Sequence, residues 1–313
     1  MKKLLALLLT LALMLSFAAC SADTDKDSDD DTKTSQTDTD KDTDKDTDKD
    51  TDKDTEKDDK EKITFTEQVV VDNEECTIKI TKIDPDNEWG YTLKAQLENK
   101  SASKKYMFSV EKAAINGVKC DPYFASEVAS GKKANSEISF SESTFNGNDI
   151  GEYTDIELTF RVYDSDDWSA DDVVNTTVHI YPYGEEKATK FVRTAQASDN
   201  VIVDNDYVTV IVIGYEKDEI WGYSANLFLV NKTDKNVWVN AEDDSVNGFM
   251  IDSYYAEPVS AGDCAFSRIS WSNEDLEENE IKKVEEIEFT LTVSDQDDWS
   301  ADDYVDQAVT LNP

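Results

Sequence analysis

The dominant pattern along this chain is strict alternation. In "CTIKITKI", Cys76, Ile78 and Ile80 share one face while Thr77, Lys79 and Thr81 share the other, the period-two signature of a half-buried strand. "YVTVIVI", from Tyr207, is more continuously apolar, as a strand covered on both sides would be. Further strand-like runs cover Gly90 to Glu98, Lys105 to Val110, Ser136 to Ser141, Asp155 to Tyr163 and Asn175 to Tyr181, with matching runs later in the chain. Gly, Asn, Asp and Ser clusters separate them, as turns require. No segment sustains a helical apolar period of useful length.

These runs form one unit written twice. At a spacing of 132, "VDN" at Val71 recurs at Val203, "EWGY" at Glu88 recurs as "IWGY" at Ile220, and "NK" at Asn99 recurs at Asn231. After a one-residue slip the spacing is 131: "ING" at Ile115 matches "VNG" at Val246, "DPY" at Asp121 matches "DSY" at Asp252, and "IELTF" at Ile156 matches "IEFTL" at Ile287. A longer phrase follows, "DSDDWSADD" from Asp164 and "DQDDWSADD" from Asp295. The units are residues 63–182 and 187–313, with Tyr183 to Lys187 as a short joint. About seven short strands in a unit of about 120 residues predict an all-β protein with two tandem antiparallel immunoglobulin-like β-sandwiches.

Ahead of the repeats the pattern changes character. Lys2 and Lys3 precede an apolar run from Leu4 to Phe17, then Ala18, Ala19 and Cys20, which reads as a secretory signal over residues 1–19, too short for a comfortable membrane span. "SFAAC" resembles the bacterial lipobox, with Phe17 where Leu is usual, and that resemblance implies a lipid on Cys20 and a lipid bilayer as partner. Residues 20–62 are built on "TDKD", with no aromatic side chain. Such a segment cannot bury enough apolar area to offset ordering entropy and is expected to be a disordered acidic linker, spanning about 35–40 Å as a random coil.

Composition narrows the partners. The formal net charge is −39, and the folded units share that excess. Nucleic acid is excluded, since phosphate binding needs clustered Lys and Arg; cationic partners and divalent metals suit such a field. "NKTDKNVWV", "SVNG", "SAG" and "DQDDW" in the second unit resemble poorly characterised immunoglobulin-like domains of secreted Gram-positive lipoproteins. The resemblance implies a sandwich fold and lipid anchoring on the extracellular face of the plasma membrane, and assigns no site residues.

Candidate chemistry is sparse. In the repeated phrase Ser169 and Ser300 have the form of helix N-caps, with Trp168 and Trp299 tucked against the sandwich end. The same phrase offers hard oxygens for calcium from Asp164, Asp166, Asp167, Asp171 and Asp172, and from Asp295, Asp297, Asp298, Asp302 and Asp303. Trp89 and Trp221 in "WGY" are expected in the core, or alternatively as a sugar platform; Trp238 and Trp271 align with Met107 and Phe140 and read as packing positions. Cys76 and Cys120 align with Val208 and Ile251 and read as core thiols or, outside the membrane, as a disulfide. Cys264, just past Gly262 and aligned with Lys133, reads as an exposed reactive thiol. A nucleophilic mechanism would rest on His179 alone, which reads as a solvated strand residue. The sequence therefore points to a non-enzymatic surface lipoprotein that binds an extracellular protein or glycan or assists a membrane-bound assembly. The alternatives are a calcium-dependent module and, more remotely, a hydrolase.

Overall fold

A computed structural model describes residues 62–141, 145, 148 and 150–313. The signal, Cys20 and the acidic run to residue 61 lie outside the described residues. In the first repeat, β1 (Gln68–Asp72), β2 (Cys76–Asn87), β3 (Gly90–Asn99) and β7 (Lys133–Phe140) form one sheet in the order β1-β2-β3-β7. The facing sheet is built on β4 (Tyr106–Ile115), β8 (Ile156–Asp164) and β9 (Val174–Ile180), with the short β5 (Val118–Cys120) and β6 (Ala125–Val128) both paired to β4. The second repeat has the same plan. Strands β10 (Asn200–Asp204), β11 (Val208–Asp218), β12 (Gly222–Asn231) and β16 (Cys264–Trp271) face β13 (Val237–Val246), β17 (Ile287–Asp295) and β18 (Val305–Leu311). There β14 (Phe249–Met250) and β15 (Ala256–Val259) pair with β13.

Within each repeat all pairing is antiparallel. The chain crosses between sheets after the third and sixth strands and again after the seventh, so β2-β3-β7 and β4-β8-β9 hold the A-B-E and C-F-G places of an immunoglobulin-like sandwich. An extra edge strand, β1 or β10, is added beside the A place. Alternation fixes which side chains meet between the sheets: Ile78, Ile80, Leu93, Leu97, Phe108 and Phe160 in the first repeat, and Leu227, Val237, Ile269, Trp271, Leu291 and Val293 in the second. Truncating any such Leu or Ile to Ala costs about 2–5 kcal/mol through lost transfer energy and the cavity left behind.

The short joint expected at Tyr183 to Lys187 is a 3-10 turn over Glu185–Lys187, and the chain then continues without regular structure, through a turn closed by the Asp199 N–H on Gln196 O, to Asn200. The repeats are not separate beads. Cys264 of β16 pairs in parallel with Val118 of β5, which joins one sheet from each repeat into a nine-stranded sheet. Val118, Phe228 and Cys264 are buried in this seam, with Phe191, Ile211, Ile213, Val230 and Phe266 packed around them. The continuously apolar β11 is covered on both faces as its sequence predicts: Val208, Val210 and Val212 enter the sandwich core, while Ile211 and Ile213 meet the seam.

Candidate functional site

The repeated acidic phrase forms the β8–β9 and β17–β18 turns. Asp164 and Asp295 are buried at the strand ends, where their Oδ1 atoms accept from the backbone N–H of Asp166 (3.1 Å) and Asp297 (2.9 Å). Asp167 and Asp298 each accept the hydroxyl two residues on, Ser169 or Ser300, at 2.7 Å, and these hydrogen bonds hold both carboxyls below their ordinary range. The serines donate here, so the expected Ser169 and Ser300 helix caps are replaced by Asp-centred turns; no helix follows. Trp168 and Trp299 are not tucked against the sandwich but stand exposed, because these tight turns point them outward.

The other carboxylates of the phrase are drawn to separate partners. Lys104 lies 3.4 Å from Asp164, Lys105 3.0 Å from Asp166, and Lys235 4.0 Å from Asp295. Asp172 takes Arg161 Nε at 2.9 Å, whereas Thr292 stands at the aligned position of the second repeat and Asp303 is exposed. Asn236 reaches Asp297 at 3.4 Å, and Asp171 and Asp302 point to solvent. Among the described residues, no three acidic, His or Cys side chains gather as a metal-ion group.

All three described cysteines are buried free thiols. A Cys76–Cys120 disulfide is not formed, for a geometric reason. Tyr106, at the start of β4, donates to Glu75 beside Cys76, while Cys120 pairs with Ala113, seven residues further along that strand. At about 3.3 Å per residue the two thiols stand on the order of 20 Å apart, beyond any disulfide span. Cys264 is likewise not the exposed thiol its neighbours suggest: it lies in the seam, donates to Gly117 O at 3.3 Å, and is pushed up to about 12 by burial. His179 is half-exposed on β9, with Nδ1 2.8 Å from Asp155 Oδ1 and Nε2 3.7 Å from Glu157. Its close ionic partners are carboxylates, an arrangement that orients an imidazole without presenting a nucleophile.

The expected core tryptophans are the largest departure. Trp89 and Trp221 are 70% and 56% exposed. The "WGY" phrase straddles the hairpin turn, so its Trp precedes the strand: Asn87 Oδ1 accepts the Trp89 N–H at 3.0 Å, and Asp218 Oδ1 accepts those of Ile220 and Trp221 at 2.7 and 2.9 Å. Gly90 (φ 96°) and Gly222 (φ 83°) then turn the chain into β3 and β12. The core places go to Phe140 and Trp271, both fully buried, as the alignment of the repeats implies; Trp238 is half-buried.

Each exposed Trp has an exposed Tyr on the same end of its sandwich. Tyr123 is bridged to Ser139 of β7 and is 90% exposed; Tyr254, its equivalent, is 91% exposed. In the second repeat these residues line a cleft of about 590 Å³, with Ile220, Arg268, Asp252 and Asp275 among its walls. The Arg268 guanidinium lies 5.5 Å from the Trp221 ring centroid, within cation–π range. Ser272 caps the short helix α1 (Asn273–Glu278), its Oγ accepting the Asp275 N–H at 3.1 Å, and so holds Asp275 in place.

The loop carrying Tyr254 is pinned from beneath. Buried Asp244 accepts the Ser253 N–H and hydroxyl at 3.0 and 2.7 Å, and Tyr254 itself sits at φ 51°, a conformation costly for a bulky residue. In the first repeat Glu137 replaces Arg268 and is taken by Lys94 at 2.5 Å, so the Trp89–Tyr123 pair lacks the cation. The sequence signal for this site was the retention of Tyr in "DPY" and "DSY" within otherwise polar turns.

Together the fold and this cleft define a tandem β-sandwich protein with an aromatic recess at one end of its second sandwich. No family model matches the chain, and no curated protein is similar to it. Among solved structures, the crystal structure of Momordica charantia 7S globulin aligns at 9% identity over 66% of this chain and 76% of that chain, with a TM-score of 0.11, too low to bear on fold or function.

Proposed function

We propose that this is a lipid-anchored, non-enzymatic binding protein of the Gram-positive cell surface, and that the cleft of the second repeat takes a glycan. The observation that carries this reading is the exposed Trp221–Tyr254 pair flanking Arg268, Asp252 and Asp275 in a concave recess. Flat aromatic rings suit the apolar C–H faces of a sugar, and a few fixed polar groups around them select hydroxyl positions. The recess volume lies within the range of small-ligand sites. The reading also explains a local cost: ordering Tyr254 at positive φ and burying Asp244 beneath it is maintained only where the rest of the structure enforces it. Anchoring rests on "SFAAC", and the non-enzymatic reading rests on the single His179 being held between the carboxylates of Asp155 and Glu157.

The test is isothermal titration and glycan-panel binding with the full secreted chain, read against Trp221→Ala and Tyr254→Ala. Each exposed ring supplies stacking area and little fold stability, so either substitution is expected to weaken glycan binding at least tenfold, about 1.4 kcal/mol, with the thermal midpoint unchanged. Glycan binding that survives both substitutions would move the site elsewhere; no binding across neutral, acidic and amino-sugar polymers would leave a protein ligand as the reading to pursue.

A further inference from the structure

The turn that builds the seam is built a second time and faces solvent. Asn116 (φ 53°) and Gly117 (φ 76°) form the two-residue hairpin tip between β4 and β5; Asn247 (φ 52°) and Gly248 (φ 81°) form it between β13 and β14. Both have the positive-φ geometry of a type I′ turn, which Asn-Gly favours. The asparagines are fixed alike: Asn116 Oδ1 accepts the N–H of Thr154 and Asp155 while Nδ2 donates to Glu152 O, and Asn247 does the same with Glu285, Glu286 and Lys283. The strand pairing is also equivalent, Ile115↔Val118 against Val246↔Phe249.

Only the surroundings differ. In the first repeat Gly117 O accepts the Cys264 N–H at 2.8 Å and Asn116 O accepts the Phe191 N–H at 2.8 Å. Lys119 meets Glu257 across the seam, and a Cβ on Gly117 would stand 3.3 Å from Asp263. In the second repeat a Cβ on Gly248 would meet nothing within 4 Å. Val118 is 1% exposed, whereas Phe249, at the equivalent position, is 48% exposed, and Met250 replaces Lys119 and is more exposed still. The docking element of the second repeat is therefore as well formed as that of the first, and more apolar.

The receiving surface is equally legible. On the second repeat it is the outer face of β11, β12 and β16, carrying Ile211, Ile213, Phe228, Val230 and Phe266. The aligned positions of the first repeat are Lys79, Thr81, Gln96, Glu98 and Asn135, which cannot receive Phe249 without stranding charges. A second copy of the intact chain thus offers no matching surface. We infer that the Asn247–Met250 hairpin is a docking edge for another polypeptide, one presenting the free edge of a β-sheet with an apolar outer face, joined by the same parallel backbone contact that joins the two repeats here.

The natural receiving surface supplies the probe. In full-length Val118→Asp, a carboxylate replaces the side chain packed between Phe228 and Cys264, so the seam opens; faster labelling of Cys264 by a thiol reagent reports it. The uncovered face of one molecule is then expected to take the Phe249 hairpin of the next, at least doubling the mass in sedimentation relative to the wild type, and Phe249→Asp added to the same chain is expected to restore the monomer. Rapid Cys264 labelling without association overturns the inference, as does association that survives Phe249→Asp. Should the seam stay closed, grafting the receiving residues onto the first repeat (Lys79→Ile, Thr81→Ile, Gln96→Phe, Glu98→Val, Asn135→Phe) decides it by the same criterion: a folded graft that remains monomeric overturns the proposal.

Discussion

Asp263 shows how a single residue couples the two repeats to pH. It precedes β16, is almost wholly buried, and meets the Lys190 ammonium at 3.3 Å, with Asp155 and Glu157 of the first repeat contributing further negative charge. Burial foremost, then Glu157, raises its carboxyl from 3.8 to about 6, against the opposing pull of Lys190. The native state therefore holds a proton that the unfolded chain releases, so the stability Asp263 contributes is complete below pH 3.8 and declines as pH rises to about 6. Lowered groups such as Asp199, held by Arg193, have the opposite sign and lose stability as pH falls. The difference between wild type and Asp263→Asn isolates the first effect. Thermal midpoints measured from pH 3.5 to 7 are expected to show the wild type losing ground to the Asn variant between about pH 4 and 6, then running parallel. A constant offset across that range would mean that Asp263 is ionised throughout in the folded protein.

At the scale of elements, the sequence discloses the strands and the turns between them, but not the directions of the side chains at those turns. Period-two alternation placed β3, β8 and β9 to within a residue and the start of β2 at Cys76, because burial of one face repeats along the strand; β2 runs on to Asn87, past the alternating stretch that ends at Ile83. "WGY" was misassigned because the apolar residue before a glycine looks like the first core position of a strand, whereas positive φ at Gly222 makes it the last residue of a turn. The two glycines in comparable conformations separate sterics from backbone preference. At Gly222 a Cβ would lie 2.0 Å from Trp271 O, while at Gly248 (φ 81°) it would meet open space. Gly248→Ala is expected to cost about 1–2 kcal/mol, the intrinsic penalty of the left-handed region. Gly222→Ala must also move the backbone at Trp271, so its cost is expected to exceed that of Gly248→Ala by about 2 kcal/mol or more, with Trp221 and the cleft displaced. Urea unfolding of the two variants makes the comparison; equal costs would mean that the hairpin can shift away from β16 freely.

For the molecule as a whole, the sequence shows two tandem units on a short joint, and the information that they are fused lies in comparing the copies with each other. Lys79 became Ile211, Gln96 became Phe228, Glu98 became Val230 and Asn135 became Phe266, all on alternate positions of the face that a lone sandwich would turn to water. Four apolar replacements on one outer face have no use in an isolated domain, but each half of the chain appears normal when read alone. The same holds for Phe191, an aromatic in the polar run after the joint: its ring lies 6.3 and 6.0 Å from those of Phe228 and Phe266 and its backbone bonds to Asn116. That one side chain touches the second repeat from a segment tied to the first, so it transmits unfolding between them. Phe191 is only half-buried, so Phe191→Ala is expected to remove about 2 kcal/mol, roughly half the cost at a fully buried site. Because the loss falls on the seam and not on either core, its effect on cooperativity should exceed its effect on stability. Calorimetry of the full chain is expected to give one transition for the wild type and two for Phe191→Ala, with the first repeat melting near the original midpoint. A variant that melts lower but still in a single transition would place the coupling in the Val118–Cys264 strand contact and the Lys119–Glu257 pair instead.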